Sequence, residues 1–184
     1  MKDNFLDFKN SKIIQHDKNK NLNGFLSTVI ENCDTDLVVF LDSDCTFDPT
    51  YISEMLNFLD PDVDIVNGSP YHPEGDIEGV KKGRLLISNT ANAFYKLLVD
   101  KNIHTYTSIF KMYRTSKIRN IILETKGFVA VTELFVKCIL NGANVKEFPC
   151  ILKIRKFGDS KIHILNSTKN HLLFMNKLIF KNTL

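Results

Sequence analysis

A chain of 184 residues is long enough for one domain with a sizeable core, and 43 % hydrophobic with 24 % charged residues is ordinary for a folded protein. A formal net charge of +3 is too small to argue for a nucleic-acid partner. Cys33, Cys45, Cys138 and Cys150 form no Cys-x-x-Cys pair, which argues against a zinc site or disulfide framework and fits a reducing cytosol. The opening Met1-Lys2-Asp3-Asn4-Phe5 has no apolar signal region, and no apolar run is long enough to span a bilayer.

Residues 1–23 are polar and rich in Lys and Asn, with one short strand candidate at Lys12-Ile13-Ile14-Gln15. Asn23-Gly24 leads into Phe25, Leu26, Val29 and Ile30, which share one helical face. Leu37-Val38-Val39-Phe40-Leu41 is a run of five apolar residues, read as a strand buried on both faces as in a parallel sheet. It stops on Asp42 and Asp44, which at i and i+2 point the same way, at the edge where open α/β folds bind ligands. Two converging carboxylates repel unless a cation lies between them, and hard oxygen ligands suit Mg²⁺ or Mn²⁺ beside a phosphorylated ligand. An Asp-rich turn is the plainer reading of the same residues. The apolar strand before and the capped helix after favour the metal.

Asp48 can cap a helix whose first position is Pro49, with Ile52, Met55, Leu56 and Leu59 facing the sheet. Residues 62–67 read as a strand centred on Val63, Ile65 and Val66. It runs into the turn-rich loop Gly68-Ser69-Pro70-Tyr71-His72-Pro73-Glu74-Gly75. A helix over 80–98 carries Ile87, Ala91, Phe94 and Leu98 on one side. Arg84, Ser88 and Asn92 recur every four residues on another, by pattern alone a solvated stripe.

A strand over 109–113 and a short helix over 116–123 follow. Gly127-Phe128 opens a helix with Val131, Leu134, Phe135 and Cys138 inward, closed by Asn141-Gly142. Glu133 lies on its other face, by pattern a solvated residue. The strand over 145–154 contains Pro149, which pushes it to a sheet edge. It discharges into Arg155-Lys156-Phe157-Gly158-Asp159-Ser160-Lys161, where cations and a hydroxyl surround a flexible Gly as a phosphate-clamping loop requires. An ordinary basic turn has the same composition. From residue 162 onward, Leu172, Met175 and Ile179 share a helical face while Lys169, Lys177 and Lys181 lie largely away from it, so this amphipathic tail either packs on the domain or lies on a membrane.

The alternation of strands and helices predicts a three-layer α/β fold with a mainly parallel sheet. A domain over 1–161 and a helical tail over 162–184 are the expected divisions.

Several of these stretches together resemble the family 2 glycosyltransferases, in the branch of dolichol-phosphate mannosyltransferases and related bacterial sugar transferases. The resemblance runs from about Asn21 to the end of the chain. It is carried by Asp42-Ser43-Asp44; by Gly68-Ser69-Pro70-Tyr71 with Gly75, Arg84, Ser88 and Asn92; and by Thr107-Ser108 with Phe110, Tyr113 and Arg114. Gly127-Phe128 with Glu133-Leu134, Glu147-Phe148-Pro149, and Arg155, Gly158, Ser160 and Lys161 complete the series. Thr46 stands where the family often has Gln, and Thr105, Ile109 and Lys111 stand for Asp, Gly and Arg. Nothing in residues 1–23 is similar to the family's Tyr-Asn-Glu-like first motif, so the chain looks like a member lacking its N-terminal nucleotide-binding half.

The resemblance implies a GT-A fold and a metal-dependent, inverting transfer of a sugar from a nucleotide-diphosphate donor to a lipid phosphate or other acceptor. It implies that Asp42 and Asp44 hold Mg²⁺ or Mn²⁺, with Asp44 in the catalytic set, and that Arg155, Ser160 and Lys161 clamp the donor diphosphate. Arg84, Ser88, Thr107 and Ser108 would shape the acceptor side, and Glu133 would act as general base toward a hydroxyl acceptor. The expected partners are a nucleotide-sugar donor and a polyprenyl-phosphate or other lipid-linked acceptor, with peripheral contact at the cytoplasmic face of a membrane and no nucleic acid. Two alternatives stay open. Strand-Asp42-x-Asp44-x-Thr46 also suits the nucleophile and acid of an aspartyl-phosphate phosphohydrolase, although Cys45 stands where that chemistry normally has Gly. The chain could also be an inactive remnant of a glycosyltransferase.

Overall fold

The computed structural model describes residues 14–44, 46–80, 82–154 and 164–180. Six helices, α1 (Asn21–Asn32), α2 (Tyr51–Leu56), α3 (Lys82–Leu98), α4 (Thr115–Ile118), α5 (Val129–Leu140) and α6 (Ile164–Phe180), accompany six strands among these residues. The strands are β1 (Leu37–Phe40), β2 (Ile65–Ser69), β3 (Asp76–Glu78), β4 (Lys111–Arg114), β5 (Val145–Pro149) and β6 (Ile151–Lys153). Ile14 and Gln15 form no strand, and the rest of that short candidate lies outside the described residues.

The main sheet has the order β1-β4-β2-β5, and β3 and β6 form a separate parallel pair. β4 runs antiparallel to both β1 and β2, while β2 and β5 are parallel. The sheet is therefore mixed, not mainly parallel. A single crossover helix would return the chain for a parallel strand, but the long non-helical traverse after α3 delivers it to the opposite edge, so β4 enters reversed. With β4 reversed between them, β1 and β2 are parallel to each other, and β1, β2 and β5 all end at one edge.

One face of the sheet packs Phe40, Ile65 and Tyr113 against α1, α3, α5 and α6, through Leu26, Ile30, Tyr95, Leu134, Phe135, Phe174 and Met175. The other face packs Val66, Met112 and Phe148 against Phe47, Met55 and Phe110. Phe47 stacks on Phe110 with centroids 5.0 Å apart, and Phe58 meets Phe148 edge-on at 5.2 Å. Residues Leu37, Val38 and Val39 are only half-buried, where full burial was expected, because β1 stands at the end of the sheet and is paired on one side among the described residues.

α5 is buried almost throughout, including the expected Val131, Leu134, Phe135 and Cys138. Its end is closed by Gly142 at φ +80°, whose N–H bonds Ile139 O at 2.9 Å, a left-handed cap that suits glycine. The turn before α2 begins at Asp48, whose carboxylate accepts from Thr50 N (2.9 Å) and Thr50 Oγ1 (2.7 Å), and the regular helix starts at Tyr51. Of its expected inward residues, Met55 is fully buried and Leu56 is exposed.

The predicted strand over 145–154 is divided at Cys150. β5 takes the edge of the main sheet, as Pro149 requires, and β6 turns away to pair with β3. α6 belongs to the same core: Phe174 and Met175 are buried in it, while Leu172 and Ile179, expected to share Met175's face, are exposed.

Candidate functional site

The common edge of β1, β2 and β5 collects most of the expected site residues. Asp42 and Asp44 lie in the loop directly after β1. Asp44 Oδ1 accepts from Thr46 N at 3.2 Å, which curls the loop back on itself. Thr46 O in turn accepts from Lys153 N at 2.9 Å, at the end of β6. The acidic loop is thus tied to the strand from which the basic segment departs. Arg155, Ser160 and Lys161 themselves lie outside the described residues, as does Cys45.

Across the sheet, Phe40, Lys111, Asn67 and Glu147 stand in one register row and point to one face. Three of these side chains hold the segment His104–Ser108 that precedes β4. Glu147 accepts from the N–H groups of His104 (3.0 and 3.1 Å) and Thr105 (3.2 Å). Asn67 Nδ2 donates to Thr105 O at 2.7 Å and to Glu147 Oε1 at 3.1 Å. Asn92, from α3, accepts from Tyr106 N (2.9 Å) and Thr107 N (3.3 Å). Lys111 Nζ donates to the carbonyls of Tyr106 and Ser108 and lies 4.7 Å from the centre of the Phe135 ring. Burial lowers the Lys111 ammonium to about 7, against the opposing pull of Glu147 and Cys150. Each buried N–H or C=O would cost about 1–3 kcal/mol if left unpaired, so the site spends polar side chains to hold a non-regular backbone still.

The residues expected on the acceptor side meet next to this segment. Ser88 Oγ and Thr107 Oγ1 are 3.1 Å apart, and Tyr71 sits against Ser88 with Arg84 nearby. Burial raises the Tyr71 phenol, with Ser88 and Arg84 pulling the other way. Ser69 Oγ lies 2.8 Å from Thr105 Oγ1, which also accepts from Tyr71 N at 3.3 Å. Ser108 stays local, its hydroxyl accepting from Phe110 N at 3.1 Å. Gly68 is needed for close approach, since a Cβ there would stand 2.5 Å from the Phe110 ring and 2.8 Å from its carbonyl oxygen.

Arg84, Ser88 and Asn92 were a solvated stripe by periodicity. In the structure Asn92 and Tyr95 are buried and Ser88 is half-buried, while Arg84 is exposed. Of the apolar side, Ala91 and Leu98 pack against the core, and Ile87 and Phe94 are 42 % and 49 % exposed. Asn92 is inside because the backbone N–H groups of Tyr106 and Thr107 need its carbonyl oxygen.

Glu133 is buried, 2.9 Å from Lys137 Nζ one turn along α5. It also accepts from Glu124 N (3.0 Å), Thr125 N (2.7 Å) and Thr125 Oγ1 (2.7 Å). Burial would raise its carboxyl, but Lys137, Thr125 and the two backbone N–H groups together hold it below the usual range. Neither the solvated nor the general-base expectation fits a sealed carboxylate whose oxygens anchor the 124–125 turn. Arg114 lies at the far end of β4 and donates to Val63 O at 2.8 Å, away from the site edge. A cleft of about 510 Å³ lined by Val63, Asp100, Ala143 and Lys146 is at that far edge too, remote from the acidic loop.

Sequence reasoning missed the roles of Asn67, His104 and Lys111. Asn67 and Lys111 break apolar strands, and a polar residue inside a buried strand is the one signal that could have singled them out.

Residues 2–122 match glycosyl transferase family 2, a match that begins ahead of Asn21 and ends before β5. A polyprenol monophosphomannose synthase from Mycolicibacterium smegmatis is 31 % identical over 129 residues, 68 % of this chain and 49 % of that protein. An undecaprenyl-phosphate mannosyltransferase from Micrococcus luteus is 25 % identical over 130 residues, 69 % of this chain and 53 % of that one. The chain thus spans about half the length of these curated relatives. Among solved structures, glucosyl-3-phosphoglycerate synthase from Mycobacterium tuberculosis in complex with phosphoglyceric acid superposes with a TM-score of 0.62 at 12 % identity, over 90 % of this chain and 56 % of that one. The same enzyme with Mn²⁺, uridine diphosphate and glucosyl-3-phosphoglycerate gives 0.61 at 12 % identity, over 85 % and 54 %. The fold is GT-A, and by its sequence the chain belongs to glycosyl transferase family 2.

Proposed function

We propose that the chain carries the metal-binding and acceptor-binding part of an enzyme that transfers a sugar from a nucleotide-diphosphate donor to a polyprenyl phosphate or related lipid-linked acceptor. The names of the two relatives support the acceptor class, and the Mn²⁺ and uridine diphosphate bound by the fold neighbour support the donor class. The observation that carries the reading is the hydrogen-bonded path from Asp44 through Thr46 to Lys153, which sets the acidic loop beside the departure point of the basic segment.

Asp42 and Asp44 would hold Mg²⁺ or Mn²⁺. No group of three or more His, Cys, Asp and Glu side chains forms a metal cluster among the described residues. Two carboxylates leave the remaining positions to diphosphate oxygens and water, the hard donor set that Mg²⁺ prefers. Such an ion supplies neutralisation of the charge building on the leaving diphosphate. Arg155 and Lys161 would clamp the same oxygens from the segment after β6. Arg84, Ser88 and Thr107 would receive the acceptor, with Tyr71 beside them. An inverting displacement by a phosphate oxygen needs little help from a base, so the enclosure of Glu133 is no obstacle to it. The matches favour this reading over an aspartyl-phosphate mechanism.

Asp42→Asn and Asp44→Asn test it. Each should abolish Mn²⁺-dependent binding of uridine diphosphate in calorimetry while leaving thermal unfolding in place, because both lie in a loop and not in the core. Unchanged Mn²⁺-dependent binding in both variants would overturn the assignment.

A further inference from the structure

The imidazole of His104 has no task in the reading above, yet it is the most deliberately held side chain at the site edge. Its Nδ1 is 2.6 Å from Glu147 Oε2, and the Glu147 side chain is 8 % exposed. The carboxylate also receives N–H bonds from the backbone of His104 and Thr105 and from the Asn67 amide, so it acts as a fixed acceptor. Nδ1 must then be the nitrogen that carries a hydrogen and donates it. The His104 side chain is 29 % exposed. With Nδ1 turned to a nearly sealed carboxylate, the exposed edge is the one bearing Nε2. Among the described residues no hydrogen bond engages that nitrogen.

The ring of His72 stands edge-on to it, with centroids 5.4 Å apart and planes at 77°. His72 Nδ1 accepts from Glu74 N at 3.2 Å, which fixes that ring in turn. The pair borders the acceptor-side cluster directly. His72 follows Tyr71, whose N–H bonds Thr105 Oγ1, and Thr107, two residues beyond Thr105, meets Ser88. β5 and β1 are separated by two intervening strands, about 14 Å at the usual spacing. The dyad and the acidic loop therefore stand on opposite sides of the site. An in-line displacement needs that arrangement, with leaving diphosphate and incoming acceptor on opposite sides of the transferred sugar.

We propose that His104, oriented by Glu147, grips the phosphate of the acceptor through Nε2 and keeps that phosphate's proton while its oxygen attacks. The proposal rests on the phosphate-acceptor reading above. A phosphate monoester has its second ionisation near pH 6, so close to neutrality one proton is in play between the phosphate and the ring. In the neutral ring Nε2 offers a lone pair to a P–O–H group, and in the imidazolium it donates N–H to the dianion. The shared proton is the same in both forms. During transfer the phosphate oxygen forms its bond to the anomeric carbon, and the bond from that carbon to the donor diphosphate breaks. The diphosphate leaves with the electron pair, and the proton stays on Nε2. The charged or titratable groups around the ring are Glu147 and His72, with Lys111 behind Glu147 and Arg84 across the acceptor cluster.

Two substitutions separate this role from simple support of the loop. His104→Asn keeps an amide near Glu147 at the place of Nδ1 but presents nothing at Nε2, and His104→Gln does the reverse. The probes are farnesyl phosphate and farnesol, titrated into the intact chain and followed by calorimetry and by the histidine ring signals in NMR. Farnesyl phosphate should shift the His104 signal, and its affinity should fall at least tenfold in His104→Asn and less in His104→Gln. Farnesol affinity and Mn²⁺-dependent uridine diphosphate binding should be equal in all three proteins. Wild-type affinity for farnesyl phosphate in His104→Asn would overturn the role of His104. Farnesol binding as tightly as farnesyl phosphate to the wild type would overturn it by removing the phosphate-acceptor reading itself, and metal-dependent nucleotide binding would still report separately on the donor side.

Discussion

The phenol of Tyr95 and the imidazole nitrogen Nδ1 of His171 meet at 2.8 Å where α3 packs against α6. Phe174 and Tyr106 close over the same phenol ring, with centroids 6.2 and 5.5 Å away. Burial lowers the His171 imidazole from 6.5 to about 4 and raises the Tyr95 phenol, so the pair is held neutral. The folded ring resists a proton that the unfolded chain accepts below 6.5. Stability from this site is therefore complete above pH 6.5 and is lost as pH falls toward about 4, by on the order of 3 kcal/mol at most. The midpoint of thermal unfolding should drop across that window in the wild type. His171→Phe, which cannot titrate, should show a shallower drop, and parallel curves for the two proteins would remove His171 from the account.

Glu133 and Lys137 form a buried pair one helical turn apart, with both carboxylate oxygens also anchoring the 124–125 turn. Removing one partner of a buried pair costs about 3–5 kcal/mol, and here the remaining contacts of Lys137 with Glu124 (3.6 Å) and Ile122 O (2.9 Å) place the loss toward the lower end. Glu133→Ala should therefore lower stability strongly in denaturant titration. Glu133→Gln should cost less, because the amide oxygen can still accept from Thr125. Any remaining folded Glu133→Gln protein should bind uridine diphosphate with Mn²⁺ as the wild type does. A stable Glu133→Ala protein that fails in transfer would restore the carboxylate to a role in the chemistry.

The elements were legible in the sequence wherever one physical signal ruled. The five apolar residues before Asp42 announced β1, and Asn141-Gly142 announced the end of α5. Periodicity was only partly right on α3: Ala91 and Leu98 pack against the core and Arg84 is exposed, but apolar Ile87 and Phe94 face outward and Asn92 of the polar stripe is buried. Nothing local to α3 encodes that choice. It follows from the unpaired N–H groups of Tyr106 and Thr107, which Asn92 must satisfy from 14 and 15 residues away. The reversed direction of β4 has the same kind of origin, since strand pairing is decided by where the preceding loop ends and not by composition. The acidic pair and the hydroxyls of Ser88 and Thr107 could be singled out from their spacing and resemblance, and the structure brings those two hydroxyls within 3.1 Å of each other. The network of Asn67, Lys111 and Glu147 that fixes the segment between them needs the register of three strands to be seen.

The outward faces of α3 and α6 carry the last prediction. α3 and α6 pack on each other, yet Leu86 and Leu97 are 69 % and 82 % exposed on one, and Leu173 and Phe180 are 56 % and 65 % exposed on the other. Leu86, Phe94 and Leu97 fall within about a quarter-turn of α3, and Leu172, Leu173, Ile179 and Phe180 within about a third of a turn of α6. Two adjacent helices presenting apolar stripes are more than scattered surface leucines, and such faces mark a partner or a membrane. No helix among the described residues is long and apolar enough to cross a membrane, and the contact expected here is of these two faces with the lipid surface. Lys169 lies on the outer side of α6, and each lysine near an anionic surface adds roughly 1 kcal/mol. Truncating the tail is a poor test, because Phe174 and Met175 belong to the core. Leu97→Gln combined with Leu173→Gln leaves the core intact. The wild type should float with vesicles of anionic phospholipid at low salt and less at high salt, and the double variant should stay in the aqueous fraction with its unfolding temperature unchanged. Equal flotation of the two proteins would assign these residues to something other than the lipid surface.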